Sequence, residues 1–211
     1  MPVGRWRRRV LAEIPARRGE QSRPSGLDRD RLTAFSRLAV ALSDSRAVLA
    51  TGPAKSEVAL GLATAATAEG SRVALLEADL AAPSLADALG LAPRPGFHEY
   101  LLGEAKTQRI LQSLVPAGPA AARAREPLVC IVAGAPEPAS APLLASERCR
   151  RAIGGLRVAY DLLVIDGPDL DRDPGAVQDL ASVVDATIVC SMRGESSKRV
   201  PVPIAGLVIC E

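Results

Sequence analysis

The stretch RAVLATGPAKSEVALGLATAATAEG, residues 46–70, decides the fold. An apolar run at 47–51 has the length and composition of a strand, and 56–69 is an Ala-rich helix. The loop between them carries Lys55 and Ser56. In a phosphate-binding loop, backbone amides and the helix N-terminus hold phosphate oxygens, a lysine reaches the outer phosphates, and a Ser or Thr hydroxyl ligates Mg²⁺. Gly52, Pro53, Ala54, Lys55, Ser56 and Glu57 are therefore the candidate cofactor-binding residues for ATP.

Three positions depart from that pattern. Ala54 stands where a glycine precedes the lysine, Glu57 follows Ser56, and Leu49 occupies the place of the first glycine. A left-handed backbone at position 54 would cost Ala about 1–2 kcal/mol. A carboxylate at Glu57 facing a phosphate about 6 Å away costs on the order of 3 kcal/mol per charge pair at an effective dielectric near 20. The sequence thus predicts weak or absent binding of Mg-ATP on an intact fold.

Working outward, further short Val/Leu/Ile runs at 72–77, 128–132, 161–166, 186–191 and 204–210 read as strands. Helices are expected at 30–42, with Asp30 as cap, and at 84–89, 98–102 and 141–156. Strands that are continuous apolar runs alternating with helices indicate an α/β fold, with a mostly parallel sheet covered by helices on both faces. Ligands bind outside the carboxyl ends of such strands. Lys55, Asp79 and Asp166 all fall at that edge, beside Glu77. Ser56, Asp79 and Asp166 are the candidate Mg²⁺ ligands, since Mg²⁺ takes oxygen donors. Asp79 before Pro83, and Asp166 before Gly167 and Pro168, also suit turn and cap roles.

The 211 residues, 48% of them hydrophobic, suit one domain at 29–211, shortened at its C-terminal end, preceded by a basic, flexible arm at 1–28. Trp6 beside Arg5, Arg7, Arg8 and Arg9 makes that arm a candidate for peripheral contact with an anionic membrane surface. A net charge of +2 and 2% aromatic residues supply neither an electrostatic footprint nor stacking platforms for nucleic acid. No run approaches the roughly 20 apolar residues that span a bilayer, so a cytoplasmic chain is expected, at most at the inner face of the membrane. Cys130, Cys149, Cys190 and Cys210 lack metal-ligand spacing and read as small buried hydrophobes. Only Lys55, Lys106 and Lys198 are lysines among 26 basic residues, which gives a lysine in the loop added weight.

With these motifs in place, the chain from about residue 30 onward resembles the ATP-binding domain of bacterial tyrosine kinases that partner polysaccharide copolymerases in capsule and exopolysaccharide synthesis. These belong with the partition-type and septum-site ATPases. The resemblance is carried by PGFHEYLLGEA (95–105), IVAGAPEPASAPLLAS (131–146), YDLLVIDGPD (160–169) and IAGLVIC (204–210). It implies that Lys55 contacts the outer phosphates, that Ser56, Asp79 and Asp166 serve Mg²⁺, and that Glu77 takes the place of a catalytic aspartate. It also implies a membrane copolymerase or related exopolysaccharide machinery as partner.

The sequence departs from the family as well. Ala81 replaces an arginine, and Thr33, Ser36 and Ala39 stand where a Glu-x-x-Arg-x-x-Arg oligomerisation pattern would fall. Tyr100 and Tyr160 are the only tyrosines, with no terminal cluster to phosphorylate. The connection MRGESSKRVPVP after Ser191 is short for a crossover with a full helix. Three functions remain open: a kinase-like ATP-binding regulator of polysaccharide polymerisation or export, a non-catalytic adaptor of the same machinery, and a partition-type ATPase.

Overall fold

The structure is a computed structural model and describes residues 9–16, 26–139, 141–194 and 202–211. In chain order the strands and helices are β1 (Val10–Ile14), α1 (Arg29–Ala41), β2 (Ala47–Thr51), α2 (Lys55–Ala68), β3 (Val73–Glu77), α3 (Leu85–Leu89), α4 (Phe97–Leu102) and α5 (Thr107–Ile110). They continue with β4 (Gln112–Leu114), a 3₁₀ turn at Gly118–Ala120, β5 (Leu128–Ile131), α6 (Ala141–Leu144), α7 (Glu147–Ala159), β6 (Leu162–Asp166), α8 (Pro174–Ala181), β7 (Ala186–Met192) and β8 (Gly206–Cys210). The strands form one eight-stranded sheet in the order β1-β8-β7-β2-β6-β3-β5-β4, parallel throughout except for β4 against β5. The expected α/β architecture is therefore present.

Side-chain alternation splits the core between the two faces of the sheet. Val48, Leu75, Val164 and Ile188 pack with Phe35 and Leu38 of α1 and Val58 and Leu62 of α2. Leu49, Leu76, Leu163 and Ile165 pack with Phe97, Ile153, Val177 and Leu180 on the other face. Helix α2 is buried over nearly its whole circumference, which its Ala-rich sequence permits because small side chains let α1 and the sheet approach closely. Gly61 is the tightest point. A Cβ there would lie 2.2 Å from Cζ of the fully buried Phe35 ring.

Several elements differ from the sequence expectation. Val10–Ile14, within the stretch read as an arm, is an edge strand paired in parallel with β8. Its partner lies nearly two hundred residues away, so no local pattern marks the pairing. Trp6 and the arginines at 5, 7 and 8 lie outside the described residues. The helix expected at 141–156 is broken, because Ser146 accepts a hydrogen bond from the Cys149 amide and starts α7 afresh. Asp28, not Asp30, caps α1. Helices α5 and α8 and strand β4 lie in stretches where the sequence reading places no element. Strands β7 and β8 are direct parallel neighbours. Residues 195–201 of the short connection between them lie outside the described residues.

Candidate functional site

Three buried ionisable side chains meet at the carboxyl ends of the central strands. Lys55 opens α2, Asp79 follows β3 and Asp166 ends β6, so the α/β order alone brings them to one edge. Lys55 Nζ is 3.1 Å from Asp79 Oδ2 and 3.1 Å from Asp166 Oδ1, with side-chain exposures of 10% for the lysine and 5% and 0% for the two carboxylates. Burial works against the Lys55 charge, but Asp166 and Asp79 outweigh it and hold the ammonium pKa above its usual value. Burial pushes the Asp166 carboxyl up to about 6 while Lys55 and the neighbouring Ser56 hydroxyl pull it down. Asp166 Oδ2 has no hydrogen-bond partner among the described residues.

Glu77 sits opposite Asp166 in the β3–β6 ladder, but the hydrogen bonds of its carboxylate lead away from the triad. Its Oε1 accepts from the Ser84 and Leu85 amides, at 2.5 and 2.8 Å, and its Oε2 from the Ala133 amide at 2.9 Å. The carboxylate thereby anchors the start of α3 and the end of β5. Glu57 pairs with Arg31, whose Nη2 lies 2.5 Å from Glu57 Oε1. Nη1 of the same guanidinium donates to the Pro15 carbonyl at 2.8 Å, and the group stacks 5.6 Å over the Phe35 ring. The Glu57 charge is thus offset within the protein. Sequence reasoning missed Arg31; the one available signal is a charge set among the apolar positions Leu32, Phe35 and Leu38 of an amphipathic helix.

The connection from β2 to α2 consists of residues 52–54 alone. A phosphate loop needs its first glycine six residues before the lysine and an irregular backbone from there on. Here Leu49, Ala50 and Thr51 are still in the ladder, paired with Thr187, Ile188 and Val189 of β7, and the first two also with Ile165 and Asp166 of β6. Leu49 is fully buried, and its Cδ1 would lie 2.4 Å from a Cβ on Gly167. Gly52 has φ +99° and passes so close to β7 that a Cβ would sit 2.5 Å from the Cys190 carbonyl oxygen. The Ala54 amide donates to that carbonyl at 3.3 Å, and the Lys55 amide donates to the Gly52 carbonyl at 3.1 Å. Ala54 has φ −98°, so the left-handed strain considered for it does not arise.

The cradle that would surround a nucleotide's phosphates does not fit these residues. Its first three positions, 49–51, are central strand, and two of its amides are already donated to protein carbonyls. Among the described residues no group of three or more His, Cys, Asp or Glu is placed to hold a metal ion. A cavity of about 600 Å³ lies elsewhere, between α1 and α2 near the amino ends of the strands. Thr33, Ser36 and Ala39 are among the residues that line it. No helix among the described residues is long and apolar enough to cross a membrane.

Known proteins place this geometry in context. No family model matches the chain. Over 139 residues, 63% of the chain, it is 32% identical to the succinoglycan biosynthesis transport protein ExoP of Rhizobium meliloti (strain 1021). The matched part spans 15% of that relative's length. Among solved structures it superposes on the chimerical protein CapA2B2 with a TM-score of 0.78 at 16% identity, covering 96% of this chain and 94% of that one. It superposes on the kinase domain of the Escherichia coli tyrosine kinase ETK with a TM-score of 0.76 at 17% identity, covering 96% and 90%. The chain has the fold of bacterial tyrosine-kinase domains.

Proposed function

We propose that this domain serves exopolysaccharide or capsule synthesis as a non-phosphorylating adaptor, docking on a membrane polysaccharide copolymerase or related machinery. The observation that carries the adaptor reading is the three-residue connection between β2 and α2, which leaves no cradle for the phosphates of ATP. The polysaccharide assignment is supported by the identity to a succinoglycan biosynthesis transport protein together with the kinase-domain fold. Glu77 acts in this reading as an anchor for α3 and β5, since backbone amides engage both of its oxygens.

The Mg-ATP-dependent reading is supported by the kinase-domain fold and by the unpartnered Asp166 Oδ2 at the end of β6. Two measurements separate the readings. In-frame deletion of the gene in its native host is expected to change the yield or chain length of a secreted polysaccharide, and an unchanged polysaccharide would remove the assignment. Purified protein incubated with γ-labelled ATP and Mg²⁺ is expected to label neither itself nor a tyrosine-containing acceptor. Labelling would restore the kinase reading.

A further inference from the structure

We infer that Lys55 is a permanent structural counter-ion: it locks α2 to the ends of β3 and β6 and keeps the kinase fold assembled without nucleotide. A lysine held ready for a ligand needs a site that opens to admit one. Opening here requires Leu49, Ala50 and Thr51 to leave the central strand of the sheet, where they are paired on β7 and, for the first two, also on β6. Gly52 and Pro53 supply no slack. The first is pressed against the Cys190 carbonyl, and the second carries no amide hydrogen to offer a phosphate.

Several other groups that a nucleotide would address are engaged by the protein itself. The Ala54 and Lys55 amides donate to Cys190 and Gly52. Glu57 sits in the first turn of α2, where a carboxylate complements the helix dipole, and Arg31 neutralises it from α1. Lys55 itself lies between two carboxylates on two different strand ends, so its removal would leave two buried acids facing each other without a cation. These contacts join α2 to the ends of β3 and β6 through charged side chains. The domain would therefore present its surfaces to a partner without nucleotide control.

This inference rests on the reading that no nucleotide is bound, whereas the role in polysaccharide synthesis is tested separately by gene deletion. The test is urea unfolding of the full chain as wild type, Lys55→Met, and the triple variant Lys55→Met/Asp79→Asn/Asp166→Asn, each with and without millimolar Mg-ATP. Lys55→Met is expected to lower the midpoint by about 1–2 M, the range that losing one partner of a buried ion pair gives for a domain of this size. The triple variant should recover most of that loss, because no uncompensated charge remains, and Mg-ATP should move no midpoint. A Lys55→Met midpoint equal to or above wild type overturns the inference. So does a loss that the triple variant does not reverse, or a wild-type midpoint that Mg-ATP raises. If Lys55→Met yields no folded protein, the triple variant decides: folded, it supports the lock, and unfolded, it contradicts it.

Discussion

Lys55 Nζ stands 3.1 Å from Asp166 Oδ1, and the two residues belong to elements 111 positions apart, the first residue of α2 and the last of β6. That contact joins the start of α2 to the end of β6 at the carboxyl edge of the sheet. Its consequence is that the Lys55 charge is met within the protein, with Asp79 as the second acid, while Arg31 offsets Glu57 in the same first turn of α2.

Arg31 is the residue that ties the N-terminal strand to this edge, through the Pro15 carbonyl and Glu57. Arg31→Met should destabilise the protein by about 2 kcal/mol, the scale for removing a buried charged hydrogen-bond donor. Hydrogen exchange followed by mass spectrometry should show faster exchange in Val10–Ile14 than in β2. Unchanged protection of that strand would separate it from the clamp.

Gly61 is mid-helix, where Ala would ordinarily gain about 1 kcal/mol of helix propensity. Gly61→Ala should nevertheless lower the urea midpoint, because the new methyl meets the Phe35 ring at 2.2 Å in a fully packed layer. Phe35→Leu added to that variant should recover part of the loss. A stabilised Gly61→Ala would show that α1 and α2 separate freely.

Glu99 is buried, which raises its pKa, yet the Gly96 amide, its own amide, Arg94 and the Ala135 amide together hold it below the ordinary glutamate value of 4.5. A carboxylate whose pKa is depressed on folding stabilises above its unfolded pKa, and this stability is lost as pH falls through the folded value. The stability of wild type should therefore fall more steeply below pH 4.5 than that of Glu99→Gln. Equal slopes in acid denaturation would contradict the assignment.

All four cysteines are buried, and burial pushes the Cys130 and Cys149 thiols up to about 12 and Cys210 to about 11, with Cys190 also well above its usual value. The thiolate is the nucleophile, so at pH 8 none should react with a disulfide reagent in the native state and all four should react in denaturant. Rapid labelling of the native protein would show that the strands carrying them open readily.

The strand and helix runs of the parallel sheet were legible because each is a short apolar segment bounded by turn residues. The runs at 47–51, 186–191 and 204–210 fall within two residues of the observed strands. Strand β1 was not legible, since its pairing partner is at the other end of the chain. Helix α8 could have been found from Asp173, which caps it, and Pro174 at its first position. The site was half legible. Lys55, Asp79 and Asp166 converge as their strand ends required, but Leu49 was counted both as a strand residue and as a loop position. The two assignments exclude each other, and the ladder with β6 and β7 decides for the strand. The pairing of Glu57 with Arg31 depends on how α1 packs against α2, and periodicity does not fix that.

Titration of the purified 211-residue chain with a fluorescent ATP analogue, with and without Mg²⁺ and alongside Lys55→Met, tests the account most directly. No saturable binding at millimolar nucleotide is the predicted result. Mg²⁺-dependent saturation that disappears in Lys55→Met would contradict it and return Lys55 to the role of a phosphate ligand.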